Sequence, residues 1–172
     1  REVTVYSWGE YIDESLIQEF QDQTGITVNY RTVPSNEELY SLLQQGSISP
    51  DVIVPSDYMI SQLIEEDWLQ PLDYSKIPNF EKIADRFKNL SYDPENLYTV
   101  PYTWGTLGII YNTTMVDAPI TSWEAMFSDE NAGNVLLIDN SRDAFGMALM
   151  YLGYSVNTTN EDEIRQAAAL VA

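Results

Sequence analysis

No cysteine and no histidine occur among the 172 residues, and these two absences remove whole classes of chemistry. Without cysteine there is neither a disulfide framework nor a thiolate metal site. Without histidine, serine–histidine and cysteine–histidine nucleophile systems are excluded. The commonest general base and transition-metal ligand is missing as well. Basic residues are also scarce, with eight Lys and Arg against 27 Asp and Glu, for a net charge of −19. Such a balance repels phosphate backbones and anionic lipid, so neither nucleic acid nor a membrane surface is an expected partner. A cation is attracted instead. Charge of this size also maintains solubility, so it supports a cationic ligand without requiring one. No run of eighteen apolar residues occurs, and no membrane-spanning helix is expected. No signal peptide precedes Arg1, which suits the mature part of a secreted protein. No motif calls for a cofactor or a metal.

What is present reads as a globular α/β chain, since 44% of the residues are hydrophobic and 12% are aromatic. Residues 2–7 alternate as a strand, and a polar–aromatic turn, Trp8-Gly9-Glu10-Tyr11, comes next. A helix carrying Leu16, Ile17 and Phe20 then ends at Gly25. Residues 26–32 form a second strand. Ser35 and Glu38 make a capping box for a helix with Leu39, Leu42 and Leu43 on one face, closed by Gly46. Residues 51–54 are a continuous apolar strand of the kind covered on both faces. A helix begins near Ser56 or Asp57. This alternation predicts right-handed crossovers and a mainly parallel sheet. Residues 73–96 read as surface loop with one helical piece. The pattern then predicts a strand over 105–111, a short helix over 123–127, a strand over 135–138, a helix ending at Gly153 and a helix from Asn160 onward. That last helix meets no stop signal before Ala172, so the chain is expected to be a cut portion of a longer protein.

Three loops sit after the carboxyl ends of expected strands, the edge at which open α/β sheets bind ligands. They are Ser7-Trp8-Gly9-Glu10-Tyr11, Pro55-Ser56-Asp57-Tyr58 and Asp139-Asn140-Ser141-Arg142-Asp143. Ring faces of Trp8 and Tyr11 attract an ammonium and its methylene chain. A carboxylate accepts charge-assisted hydrogen bonds from a primary amine. Gly9 lets the backbone approach closely, and Ser56 supplies an acceptor. Each feature also has a purely structural reading. Trp8 and Tyr11 serve equally as core or lid aromatics, Ser56 and Asp57 as helix caps, and Asp139 and Asp143 as a cap and a first-turn acid.

In this order the segments resemble the polyamine-binding receptors of bacterial ABC importers. The resemblance rests on Tyr6-Ser7-Trp8-Gly9-Glu10-Tyr11, Phe20 through Val28, Ser35-Asn36-Glu37, Asp51 through Tyr58, Pro101-Tyr102-Thr103-Trp104-Gly105 and Leu149 through Ser155. It implies a fold of the periplasmic-binding-protein type II class, α/β, with two lobes and mainly parallel sheets. Residues 1–104 would form the first lobe, and 105–172 the hinge crossing and part of the second. It further implies capture of putrescine or spermidine without catalysis, delivery to a membrane permease, and a periplasmic or lipid-anchored location. Trp8 and Tyr11 resemble the residues that sandwich the polyamine, Ser56 and Tyr58 the next contact pair, and Asp143 the second-lobe acid. Asn140 stands where the family commonly carries another acid, which implies fewer or differently spaced amines, and Asp139 lies one position earlier. Further site residues are expected beyond this chain.

Two other readings belong beside this one. The same fold serves other small organic cations. A carboxylate-based hydrolase using Glu10 or Asp143 also places acids near aromatic rings, and needs two of them about 5–10 Å apart. Incomplete lobes leave apolar surface and sheet edge uncovered, so self-association is a further expectation.

Overall fold

All 172 residues are described in a computed structural model of the chain. The first half builds a parallel sheet by repeated strand–helix–strand crossovers. Strand β1 (Glu2–Ser7) leads through α1 (Glu14–Thr24) to β2 (Thr27–Thr32), then through α2 (Asn36–Gln44) to β3 (Val52–Ile53) and on to α3 (Asp57–Glu65). Spatially the order is β2-β1-β3, which puts β1 at the centre. Its register with β2 runs in step from Glu2 opposite Thr27 to Ser7 opposite Thr32. Its pairing with β3 is short, Val5 with Val52 and Tyr6 with Ile53. Two flanking bonds extend it: the Asp51 amide donates to the Thr4 carbonyl (2.9 Å) and the Val54 amide to the Tyr6 carbonyl (2.9 Å). β3 differs from its sequence expectation. It is an edge strand rather than one covered on both faces, and Val52 is exposed. A continuous apolar run does not distinguish a central strand from a short edge strand next to one.

Local chemistry accounts for the helix boundaries. The Asp13 carboxylate accepts from the Ser15 amide (2.9 Å) to open α1, and Gly25 closes it at φ 68°, a conformation that costs a side-chain-bearing residue more. The Ser35 hydroxyl accepts from the Glu38 amide (3.1 Å) to open α2, as the capping signal predicted. Val33, Leu39, Met59 and Leu63 are buried, and the i,i+4 spacing of Met59 and Leu63 defines the inner stripe of α3.

Residues 74–87 form three short 3₁₀ turns, Tyr74–Lys76, Pro78–Lys82 and Asp85–Phe87, where a loop with one helical piece was expected. The carboxylate of Asp93 organises the segment after these turns. Its Oδ1 accepts from the Leu97 amide (3.0 Å), and its Oδ2 from the Tyr98 amide (3.0 Å), the Thr99 amide (2.9 Å) and the Thr99 hydroxyl (2.8 Å). The Leu97 carbonyl accepts from the Leu72 amide (2.8 Å) and the Thr99 carbonyl from the Tyr74 hydroxyl (2.7 Å), tying residues 97–99 to the chain before the turns.

The chain divides into two compact units, Arg1–Thr103 and Trp104–Ala172. The second is built on α5 (Ser141–Leu152) and α6 (Glu161–Val171), preceded by a one-turn α4 (Glu124–Phe127). Ala148, Leu149 and Ala167 form its buried core, with Phe127, Phe145, Leu152, Tyr154, Leu170 and Val171 packed around them. The strands expected over 105–111 and 135–138 are absent. Both segments carry strand-like sequence but have no neighbouring strand to satisfy a ladder. Ile110 is fully exposed and Leu136 94% exposed. A strand exists only by pairing, so intrinsic preference does not produce one here.

Candidate functional site

In the first unit, parallel pairing sends the three strand exits to one edge of the sheet. The chain leaves β1 at Ser7, β2 at Thr32 and β3 at Ile53, and the Val33 amide donates to the Ser7 carbonyl (3.0 Å) as the exits fan apart. Loop 8–11 and loop 55–58 therefore leave adjacent strands at the same end. Two of the three loops singled out in the sequence are brought to one edge. The third, 139–143, comes after an unpaired extended segment in the second unit, so the sheet-edge argument does not apply to it.

Loop 8–11 carries the aromatic surface. Trp8 is half-buried, and its carbonyl accepts from the Tyr30 hydroxyl of β2 (3.0 Å), which fixes the turn against the sheet. Glu10 adopts φ 57°, a left-handed conformation unusual for a residue with a Cβ, and this turns the chain so that Tyr11 neighbours Trp8 in space. The Trp8 and Tyr11 rings lie 6.3 Å apart between centroids at 60°. Tyr102 continues the series, 6.3 Å from Tyr11 at 35°, and its hydroxyl donates to the Tyr11 carbonyl. Glu10, Tyr11, Tyr102 and Thr103 line an open depression of about 420 Å³. Gly9 is exposed, with nothing near its Cα that a Cβ would meet. Tyr102 was missed as a site residue, although the Pro101-Tyr102-Thr103-Trp104-Gly105 block was the signal that could have found it.

A second depression, of about 310 Å³, lies among the 3₁₀ turns and is lined by Tyr74, Ile77, Pro78, Phe80, Glu81, Asn89, Glu95 and Asn96. Lys88 already stands 5.3 Å from the centroid of the Phe80 ring, so the protein's own cation serves that ring face. The depression beside Glu10 combines a carboxylate with two tyrosine rings at the sheet edge.

Loop 55–58 supplies oxygens rather than rings. Ser56 occupies the N-cap position of α3, but its hydroxyl makes no cap bond there and accepts instead from Asn36 Nδ2 (3.0 Å). Asn36 Nδ2 also reaches the Tyr58 hydroxyl (2.8 Å), and the Tyr58 hydroxyl donates to Glu37 Oε1 (3.0 Å). Asn36 was not among the expected contacts.

In the second unit, Asn140 is the N-cap of α5, its Oδ1 accepting from the Asp143 amide (3.1 Å). Asp139 is exposed beside it. Asp143 is half-buried in the first turn of α5, and burial raises its carboxyl above the usual range. A carboxyl so raised holds its proton more tightly in the folded chain than in the unfolded one. Stability contributed at this position therefore falls as pH climbs from the ordinary value, about 3.9, through the raised one. Asp143→Asn is accordingly expected to be slightly more stable than the parent at pH 7, with the difference vanishing near pH ~4. Urea unfolding at the two pH values checks this, and a loss of stability at pH 7 would refute it.

No group of three histidine, cysteine, aspartate or glutamate side chains converges to hold a metal ion, and no helix is long and apolar enough to cross a membrane. Residues 15–172 match the family described as bacterial extracellular solute-binding protein. The chain belongs to that family. Solute-binding relatives share both its sequence and its fold. The spermidine/putrescine-binding periplasmic protein of Escherichia coli is 40% identical over 164 residues, covering 94% of this chain and 47% of that protein. The spermidine/putrescine ABC transporter substrate-binding protein of Streptococcus pneumoniae is 41% identical, with a TM-score of 0.79 over 99% of this chain and 53% of that one. A Treponema pallidum lipoprotein is 35% identical, with a TM-score of 0.91 over 99% of this chain and 54% of that one. The fold is thus of the periplasmic-binding-protein kind, mixed α/β with a parallel sheet. The chain spans about half the length of the relatives it matches.

Proposed function

We propose that this solute-binding protein captures a polyamine of the putrescine or spermidine type, without chemistry, for delivery to an ABC-importer permease outside the cytoplasm. The observation that carries the reading is the row of Trp8, Tyr11 and Tyr102 rings beside Glu10, at the sheet edge where loop 55–58 presents its oxygens. A polyamine needs both elements: ring faces along its methylenes and oxygens at its ammonium ends. The names of the relatives support the cargo and the transporter. The division between Thr103 and Trp104 supports reading the two units as parts of two lobes, with a hinge around Trp104 to Thr106. Asn140 and Asp143, with Asp139 nearby, are then the second lobe's contribution, and the location is periplasmic or lipid-anchored. The solute-binding family and its named relatives support this reading over the hydrolase alternative.

Titration of the chain with putrescine, spermidine and a neutral sugar, monitored by amide and indole NMR shifts, tests the proposal. Binding to the amines is expected at about millimolar strength, near −4 kcal/mol, since the chain spans about half the length of the relatives it matches. Equal response to the sugar, or silence toward both amines, would overturn it. Trp8→Ala is expected to weaken spermidine binding about 10-fold, the worth of one desolvated cation–ring contact. The same change at Trp68, an exposed ring outside these loops, is expected to leave binding unaltered.

A further inference from the structure

Asn36 is 1% exposed, and its side-chain hydrogen bonds run to loop 55–58. Its Oδ1 accepts from the backbone amide of Ser56 (3.0 Å), while its Nδ2 donates to the Ser56 hydroxyl (3.0 Å) and the Tyr58 hydroxyl (2.8 Å). The orientation of the amide is decided by one of these partners. A backbone N–H can only donate, so the oxygen of Asn36 must face Ser56 N and the NH₂ group must face the two hydroxyls. Both hydroxyls are thereby made acceptors at that contact. Tyr58 then directs its own proton to Glu37 Oε1 (3.0 Å). The bonds run in one direction, amide to phenol to carboxylate, and each polarises the next, which concentrates negative charge on the phenol oxygen.

We propose that Asn36 is a positioning residue that sets loop 55–58 to present acceptor oxygens, and thereby favours primary ammonium groups over neutral polyols. The selectivity half rests on the polyamine reading above. An ammonium only donates and meets oxygens already oriented to accept. A polyol must find donors as well as acceptors, and of the two hydroxyls only Ser56 keeps a proton to offer, since the Tyr58 proton goes to Glu37. A buried staple between α2 and α3 would explain the burial of Asn36 equally well, so the test has to separate direction from mere connection.

Asn36→Asp does so. The introduced carboxylate keeps the bond from Ser56 N but has no proton to give, so Ser56 and Tyr58 must turn and donate to it, and Tyr58 leaves Glu37. The ligand-free chain is labelled with ¹³Cζ-tyrosine, the Tyr58 resonance is assigned by Tyr58→Phe, and urea unfolding confirms that each variant folds. The Tyr58 resonance is expected to shift in Asn36→Asp and also in Glu37→Ala, an exposed position where folding is not at stake. A Tyr58 resonance unmoved in both overturns the positioning role. Spermidine and sorbitol are then titrated into the unsubstituted chain, Asn36→Asp, Tyr58→Phe and the double variant. Asn36→Asp is expected to lose spermidine affinity at least ~5-fold despite its added negative charge, and the loss is expected to shrink in the Tyr58→Phe background. Tighter binding, or an undiminished loss in that background, overturns the selectivity. Failure of the unsubstituted chain to bind spermidine overturns the polyamine reading and the selectivity together, while the ligand-free resonance still decides the positioning role.

Discussion

Asp93→Ala is expected to lower the stability of the first unit by about 3 kcal/mol or more, read as a fall in the urea midpoint at constant slope. The side chain is 3% exposed, and its two oxygens accept four hydrogen bonds from residues 97–99. Alanine would leave three backbone amides facing a gap. Leaving a buried donor unsatisfied costs about 1–3 kcal/mol per group, and bonds to a charged acceptor lie toward the upper end. Water entering the gap recovers part of this, which keeps the expectation well below the arithmetic sum. Asp93→Asn separates charge from shape. An amide has one acceptor oxygen where the carboxylate has two, so its NH₂ group must oppose at least one of the donors. An intermediate loss is expected. The consequence also reaches the site, because residues 97–99 lead directly into Pro101 and Tyr102, whose hydroxyl reaches the Tyr11 carbonyl. Loosening the Asp93 turn should therefore reduce amine binding in variants that remain folded at the assay temperature. An Asp93→Ala midpoint equal to the parent's would show that water or a rearranged turn replaces the carboxylate entirely.

Asp93 itself was not legible in the sequence, and the reason is physical. An aspartate before a proline reads as an ordinary turn former, and nothing in spacing tells a surface Asx turn from a buried carboxylate serving three successive amides. The elements of the first unit were legible because their signals are local. Ser35 and Gly25 act within a turn of the helices they cap, and the alternation of residues 2–7 and 26–32 needs only one buried face. The failures share the opposite property. Residues 105–111 and 135–138 have the right side chains for strands, but strand formation is settled by a neighbour that can lie anywhere in the chain, and here none is present.

The site divides along the same line. Trp8, Tyr11, Ser56 and Tyr58 were singled out because they sit in short loops after recognisable strands. Their partners came from far away in sequence: Tyr102 is 91 residues from Tyr11, and Asn36 is 20 from Ser56. The capping serine at position 35 concealed Asn36, since a polar residue at a helix start needs no further explanation. Only the folded chain shows that its amide faces away from its own helix toward the next loop.

Leu63→Ala is expected to cost about 2–5 kcal/mol, the range for deleting a fully buried leucine, and to release the loop that carries the oxygens of the proposed site. Leu63 is 0% exposed and, with Leu39, is one of two large aliphatic side chains fully buried anywhere in the protein. A three-stranded sheet with so few buried aliphatics has little redundancy, since folded domains hold only about 5–15 kcal/mol in total. Helix α3 begins at Asp57 and presents Tyr58 in its first turn, so the helix that Leu63 anchors is the one that aims the phenol at Asn36 and Glu37. Leu63→Met, which nearly conserves volume, is expected to cost less than about 1.5 kcal/mol and to preserve the Tyr58 resonance. Urea midpoints for both variants, with the ¹³Cζ signal of Tyr58 as a local reporter, check the two halves together. Loss of stability in Leu63→Ala with the Tyr58 signal unchanged would mean that the Asn36 staple holds the loop without the helix behind it. An unchanged midpoint would instead place the stabilising core of this unit elsewhere.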